Sequence, residues 1–163
     1  MSVNATMKAQ PFIVAPKDYD PALNVLGTKV AVLASSAATQ SYEITLQQGD
    51  EGTGPPLRSH KWDESFYVLK GQVEFSCGGK TELCMPGTLV HVPAGTIHGF
   101  RYGSGGGRML ELTGQGGSAT QMFTAIDKEI PPRPSRHSQG AGGAQAKRGD
   151  RRGLSRTVEQ SSI

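Results

Sequence analysis

From Lys29 to Thr113 no apolar segment lasts longer than about seven residues before a glycine, a proline or a small polar cluster interrupts it. Segments this short cannot each complete a helix with a buried stripe, but they suit strands that cross a sheet once and turn back. Twenty-two glycines and ten prolines supply the breaks. Two-residue signals such as Gly78-Gly79 fit hairpins, and Pro86-Gly87 and Pro93-Ala-Gly95 fit longer turns. Ser41–Gln47 alternates strictly, with Tyr42, Ile44 and Leu46 on one face and Glu43 and Thr45 on the other, as a half-buried strand does. Gln72–Cys77 alternates in the same way, with Val73, Phe75 and Cys77 together.

Read in order, strands are expected at Lys29–Ala34, Ser41–Gln47, Ser65–Leu69, Gln72–Cys77, Lys80–Cys84, Thr88–Val92, Ile97–Tyr102 and Met109–Thr113, with a last one at Gln121–Ile126. Ser35–Gln40 and Gly103–Gly107 read as loops. No segment shows a helical period. Nine or ten short strands with frequent turns describe an all-β sandwich or barrel. Residues 1–24 form an N-terminal segment broken at Pro11, Pro16 and Pro21, and Pro-Phe-Ile-Val-Ala-Pro offers an edge strand. Residues 25–130 form the barrel.

From 131 to 163 the chain is basic and rich in Gly, Pro and Arg, with little to bury, and is expected to be disordered. This tail holds seven basic and two acidic residues, and the rest of the chain holds ten basic and twelve acidic. The net charge of +3 therefore belongs to the tail, and gives the barrel no basic patch for nucleic acid. A PxxP at Pro131–Pro134 and the tripeptide Arg148-Gly149-Asp150 are weak matches that a solvated tail explains. Two cysteines, Cys77 and Cys84, do not make a disulfide framework. No apolar run approaches the roughly 20 residues of a membrane span. No secretory pattern opens the chain, so a soluble cytoplasmic protein is expected.

Chemistry concentrates in two stretches. His60 and Glu64 are ordinary metal ligands, and His98 can supply a third. Position 58 lies two residues before His60 on an extended segment, so the two side chains share a face. Arginine there stays protonated and has no lone pair to offer a metal. His91 stands at alternate parity to Val90 and Val92 and reads as a rim histidine. Trp62, Phe66, Tyr67 and Phe75 read as core or dimer packing.

The two stretches resemble the paired motifs of the cupin superfamily. The first motif is Gly, five residues, His-x-His, three or four residues, Glu, six residues, Gly; here it runs Gly52, Arg58-Ser-His60, Glu64, Gly71. The second is Gly, five residues, Pro-x-Gly, two residues, His, three residues, Asn; here it runs Gly87, Pro93-Ala-Gly95, His98, Tyr102. Fifteen residues separate them, as in small single-domain cupins. The phrases around Asp63-Glu64 and Val92–His98 are similar to those of quercetin-dioxygenase-like cupins. The resemblance implies a single jelly-roll barrel, commonly a homodimer. It also implies a divalent metal (Fe, Mn, Ni or Zn) on His60, Glu64 and His98, and a small-molecule substrate.

Two departures stand out: Arg58 replaces the first metal histidine, and Tyr102 replaces Asn. Three readings follow. The metal sits on three ligands while Arg58 and Tyr102 contact an anionic substrate, and Glu64 can also take a substrate proton. Alternatively, Arg58 forks onto Glu64 and the pocket binds small molecules without metal. In the third, the histidines are polar groups in a barrel without function. The first implies a dioxygenase acting on an enolate or diol, with isomerase or lyase chemistry equally compatible.

Overall fold

The computed structural model describes residues 8–130. The tail expected from 131 onward, with its PxxP and Arg-Gly-Asp matches, lies outside the described residues. Among the described residues the protein is all-β with two α-helices. In chain order the elements are a 3₁₀ turn (Pro16–Asp18), β1 (Leu23–Val25), β2 (Thr28–Ala34), α1 (Ser36–Thr39), β3 (Glu43–Gly49), β4 (Glu64–Cys77), β5 (Lys80–Cys84), β6 (Leu89–Val92), β7 (His98–Thr113) and α2 (Ala119–Glu129). The strands make one antiparallel sheet ordered β1-β2-β3-β7-β4-β5, with β6 also on β4. It curls into a jelly-roll barrel.

Two strands are far longer than the sequence suggests. Lys70-Gly71 was expected to end one strand, and Gly103–Gly107 to be a loop. Both lie inside continuous strands, β4 and β7, which pair from Glu64↔Thr113 to Cys77↔His98 with register shifts near Gly71. The glycines are the reason for the continuity. A Cβ on Gly71 would lie 2.1 Å from the Gly106 carbonyl oxygen, and one on Gly106 would lie 2.5 Å from that of Gly49. Three backbones thus approach more closely than any side chain permits, and both strands bend there without breaking. Each strand consequently serves two walls of the barrel.

The expected strand at Gln121–Ile126 is instead part of α2. Its pattern is helical: Ala119 and Phe123 are four apart and buried, and Met122 and Ile126, also four apart, flank them on the same cluster with Val25 and Val30. Phe, Ile and Thr favour strands, which hides the period in so short a segment. A distant residue helps start this helix. Glu43 on β3 accepts from the Thr120 backbone N–H at 2.9 Å, where the Ser118 side chain makes no cap. The same carboxylate accepts from Ser36 Oγ at 3.0 Å, which ties down α1, a single turn where a loop was expected. The N-terminal segment makes no strand at Pro-Phe-Ile-Val-Ala-Pro; Phe12 and Ile13 are exposed.

The alternation in β3 is present, but its polar face looks inward. Glu43, Thr45 and Gln47 are buried, while Ile44 and Leu46 lie on the half-exposed outer face. The second half of β7 follows suit, with Glu111 and Thr113 inside and Leu110 and Leu112 outside. The opposite wall obeys the usual rule. Phe66, Val68, Val73, Phe75, Val92, Phe100 and Tyr102 form the apolar core.

Candidate metal centre

Backbone pairing sets the site. Arg58 and His98 form an isolated bridge: Arg58 N–H donates to the His98 carbonyl at 2.8 Å, and His98 N–H donates back at 2.9 Å. The Gly95 N–H holds the His60 carbonyl at 2.7 Å, which pins the second motif against the first. Glu64 opens β4 and points inward, fully buried. His60, Glu64 and His98 converge so that one ligand atom from each lies within 4.8 Å of the others.

The hydrogen bonds then fix which lone pairs are free. His98 Nδ1 lies 2.9 Å from the Thr96 carbonyl, which only accepts. The Nδ1 proton is thereby placed, and Nε2 is the ring atom turned toward Glu64. That Nε2 stands 2.9 Å from Glu64 Oε2, yet both atoms are buried without a hydrogen-bond partner. Nothing else bonds either atom, so the pair shares a cation: a proton, which makes it a His98–Glu64 ion pair, or a metal ion. The other carboxylate oxygen, Oε1, accepts from Trp62 Nε1 at 3.0 Å and lies 3.6 Å from His60 Nε2. Trp62 also stacks flat on His60, with ring centres 4.7 Å apart, and so orients both ligands.

Protonation states suit a ligand set. Burial favours the neutral form of His60 and outweighs the opposing pull of the Glu64 carboxylate, with the Arg58 charge adding to burial, so its pKa falls. Burial alone would raise Glu64, but His98, His60, Trp62 and Arg58 outweigh it and hold the carboxyl below its ordinary value. Two imidazoles and one carboxylate fit Fe, Mn, Ni or Zn.

Arg58 does not fork onto Glu64. Its Nε donates to His60 Nε2 at 3.2 Å, and its guanidinium carbon sits 5.7 Å from the centre of the Phe100 ring. Burial lowers its pKa, against the pull of Glu64 and Glu111. One of its terminal nitrogens, NH1, is buried without a partner. Tyr102 is buried in the apolar core, its ring close against Gly49 and Gly107, and its hydroxyl has no partner either. His91 is exposed on the outer face, 3.0 Å from Ser65 Oγ.

Sequence reasoning missed Glu111 and did not expect Trp62 to touch the ligands. Burial, followed by the charge of Glu64, pushes the Glu111 carboxyl up to about 8. Glu111 therefore carries a proton at neutral pH, while Thr45 Oγ1 at 3.0 Å and the Gln47 amide both donate to its Oε2. Its parity with Thr113 was the available signal, but parity alone does not say which face looks inward.

A curled antiparallel sheet with two histidines and a glutamate meeting inside it is a cupin-type barrel. Residues 42–112 match the family model of the cupin domain, and this part of the chain is a cupin domain. Over 105 residues it is 35% identical to the quercetin 2,3-dioxygenase of Bacillus subtilis, a match covering 63% of this chain and 31% of that protein. The chain thus spans less than a third of the length of this curated relative. The same fold occurs in an RmlC-like cupin from Shewanella frigidimarina (16% identity, TM-score 0.62, covering 70% of this chain and 99% of that one). KdgF from a Halomonas species is comparably similar (18% identity, TM-score 0.62, covering 68% and 99%).

Proposed function

We propose that this cupin is a metal-dependent enzyme of the quercetin-dioxygenase-like kind, an oxygenase acting on an enolate or diol small molecule. The observation that carries this reading is the convergence of His60, Glu64 and His98, with one ligand atom from each within 4.8 Å of the others. A divalent Fe, Mn, Ni or Zn ion on His60, Glu64 and His98 would supply Lewis acidity, with positions left open for substrate. The identity to the Bacillus dioxygenase supports the oxygenase choice over isomerase or lyase chemistry.

The chain's own residues have definite tasks in this reading. Trp62 and the Thr96 carbonyl orient Glu64 and His98. Arg58 holds an anionic substrate group, and the Tyr102 hydroxyl is a second polar contact. Glu64 is the carboxylate placed to take a substrate proton, although its lowered pKa suits a ligand better than a base. A second reading, a metal-free small-molecule-binding cupin, is favoured by one contact: Arg58 Nε already occupies the His60 Nε2 lone pair.

Elemental mass spectrometry on the purified protein and on Arg58→His separates the two. Near one metal per chain in the unaltered protein supports the enzyme and leads to oxygen-uptake assays with catechols and flavonols. An empty protein beside a filled Arg58→His variant sinks the enzyme reading in favour of binding alone.

Further parts of the reading concern assembly and location. We infer a homodimer, supported by the apolar outer face of the sheet: Tyr67, Leu69, Leu89 and Leu112 are all more than a third exposed and sit on adjacent strands. Two free thiols, Cys77 and Cys84, fit a reducing cytoplasm. Among the described residues no helix is long and apolar enough to cross a membrane.

A further inference from the structure

One cavity adjoins Arg58, the side chain to which the reading above gives an anionic substrate group. It has a volume of about 130 Å³ and lies between α2 and the β1–β2 hairpin, with Val25, Val30, Phe123 and Ile126 among its apolar walls. Three polar side chains also line it: Thr28, Gln47 and Arg58. Two of them carry buried groups without a partner, Thr28 Oγ1 and Arg58 NH1. Both groups can donate. Arg58 has a second attachment, because its Nε donates to His60 Nε2 in the candidate metal centre. One side chain thus joins the cavity to the ligand cluster.

We propose that this cavity binds a small carboxylate with a short apolar body, and that Arg58 couples its occupation to metal binding at His60, Glu64 and His98. The coupling rests on the metal reading; the carboxylate site does not. A neutral apolar guest would leave Thr28 Oγ1 and Arg58 NH1 unsatisfied, at about 1–3 kcal/mol each. A carboxylate answers both, since the guanidinium fork matches its two oxygens. The cavity is well below the roughly 300–1,000 Å³ of drug-sized pockets, so the body is short. A phosphate would place more charge among hydrocarbon walls than one arginine neutralises.

The coupling has two sources of the same sign. A carboxylate that draws the guanidinium toward the cavity withdraws Nε from His60 and frees the lone pair an ion needs. It also neutralises a fixed cation beside the place a dication would take. Each ligand therefore favours the other, and by the same factor in both directions.

The test uses chelator-stripped full-length protein, with butyrate as probe and butyramide as its neutral counterpart. Methyl NMR signals of Met122 and Ile126 report the cavity, and calorimetric titration with Zn²⁺ reports the metal centre. The expected result is that butyrate, and not butyramide, shifts both signals and tightens Zn²⁺ binding at least about fivefold. Arg58→Met should bind Zn²⁺ with no response to butyrate. Arg58→Lys, the gentler change, should weaken butyrate because the fork is lost. Equal shifts from butyrate and butyramide, or undiminished butyrate binding in both variants, overturn the carboxylate site. Butyrate binding with unchanged Zn²⁺ affinity overturns the coupling. If Zn²⁺ binds to none of these proteins, the metal reading and the coupling fall together, while the NMR shifts still decide the carboxylate site.

Discussion

The two walls of the barrel interior are built on opposite rules. The wall formed by the second half of β4, the first half of β7 and β6 buries Val73, Phe75, Phe100 and Val92 and behaves as an ordinary core. The wall formed by β3 and the second half of β7 buries Glu43, Thr45, Gln47, Glu111 and Thr113 and turns Ile44, Leu46, Leu110 and Leu112 outward. The first wall contributes stability through packing. The second gives stability away, since buried polar groups must be paired to break even and two here, Glu111 Oε1 and Thr113 Oγ1, are not. An inverted wall makes sense when its inner face serves a ligand and its outer face serves a partner.

The sharpest way to break this contrast is to empty the apolar wall. Phe75 packs on Phe66 and Phe100, with ring centres 4.9 and 5.7 Å away. Phe75→Ala should cost about 3–5 kcal/mol, read as a fall in the urea midpoint at unchanged slope. A loss under about 1 kcal/mol would mean that this wall is not the one holding the barrel together.

The polar wall should respond in the opposite direction. Glu111 keeps its proton up to about pH 8 in the folded protein, whereas the unfolded chain releases it in the ordinary carboxyl range. Between those limits the folded state binds the extra proton. Stability of metal-stripped protein therefore falls as pH rises from the ordinary carboxyl range through about 8, and is flat for this group above that. Glu111→Gln should remove this slope and raise stability at pH 8 by roughly 2–3 kcal/mol. Urea titrations from pH 5 to 9 check it; an unchanged slope would show that Glu111 ionises normally.

The apolar outer surface proposed as the dimer face, on β4, β6 and the second half of β7, gives the smallest change in stability. Leu89 is 63% exposed and pairs with Tyr67. Leu89→Lys should shift the sedimentation coefficient from dimer to monomer, with the circular dichroism spectrum intact and a direct effect on the fold within about 0.5 kcal/mol. An unaltered sedimentation coefficient would remove this face from the proposed interface.

The same contrast explains what could be read from the sequence. His60, Glu64 and His98 were legible because their spacing is set by backbone turns close to them in the chain. Arg58 was legible as a departure from that spacing, but its partner was not: the choice between Glu64 and His60 is decided by side-chain reach within the folded interior. Glu111 was hidden because period-two alternation assigns residues to faces without saying which face is inside, and the apolar set Ile44, Leu46, Leu110 and Leu112 was the natural candidate for the core. Helix α2 was hidden because its starting cap, Glu43, lies 77 positions from Thr120. The join of two expected strands into β7 depended on contacts between Gly71, Gly106 and Gly49, which no local window contains.

The long pairing of β3 with β7 also sets how this chain must fold. Glu43 meets Thr113 and Gly49 meets Gly107 across the sheet. Hairpins such as β1–β2 and β4–β5 can close early, but the ladder that completes the barrel waits for a loop of more than fifty residues to find its ends. Contacts this remote place the chain among slow folders, in the range of milliseconds to seconds. Until that search ends, the apolar face of β3 and the unpaired edges beside it stand open to other chains. The time the nascent barrel spends before β7 docks is thus the interval in which aggregation competes with folding.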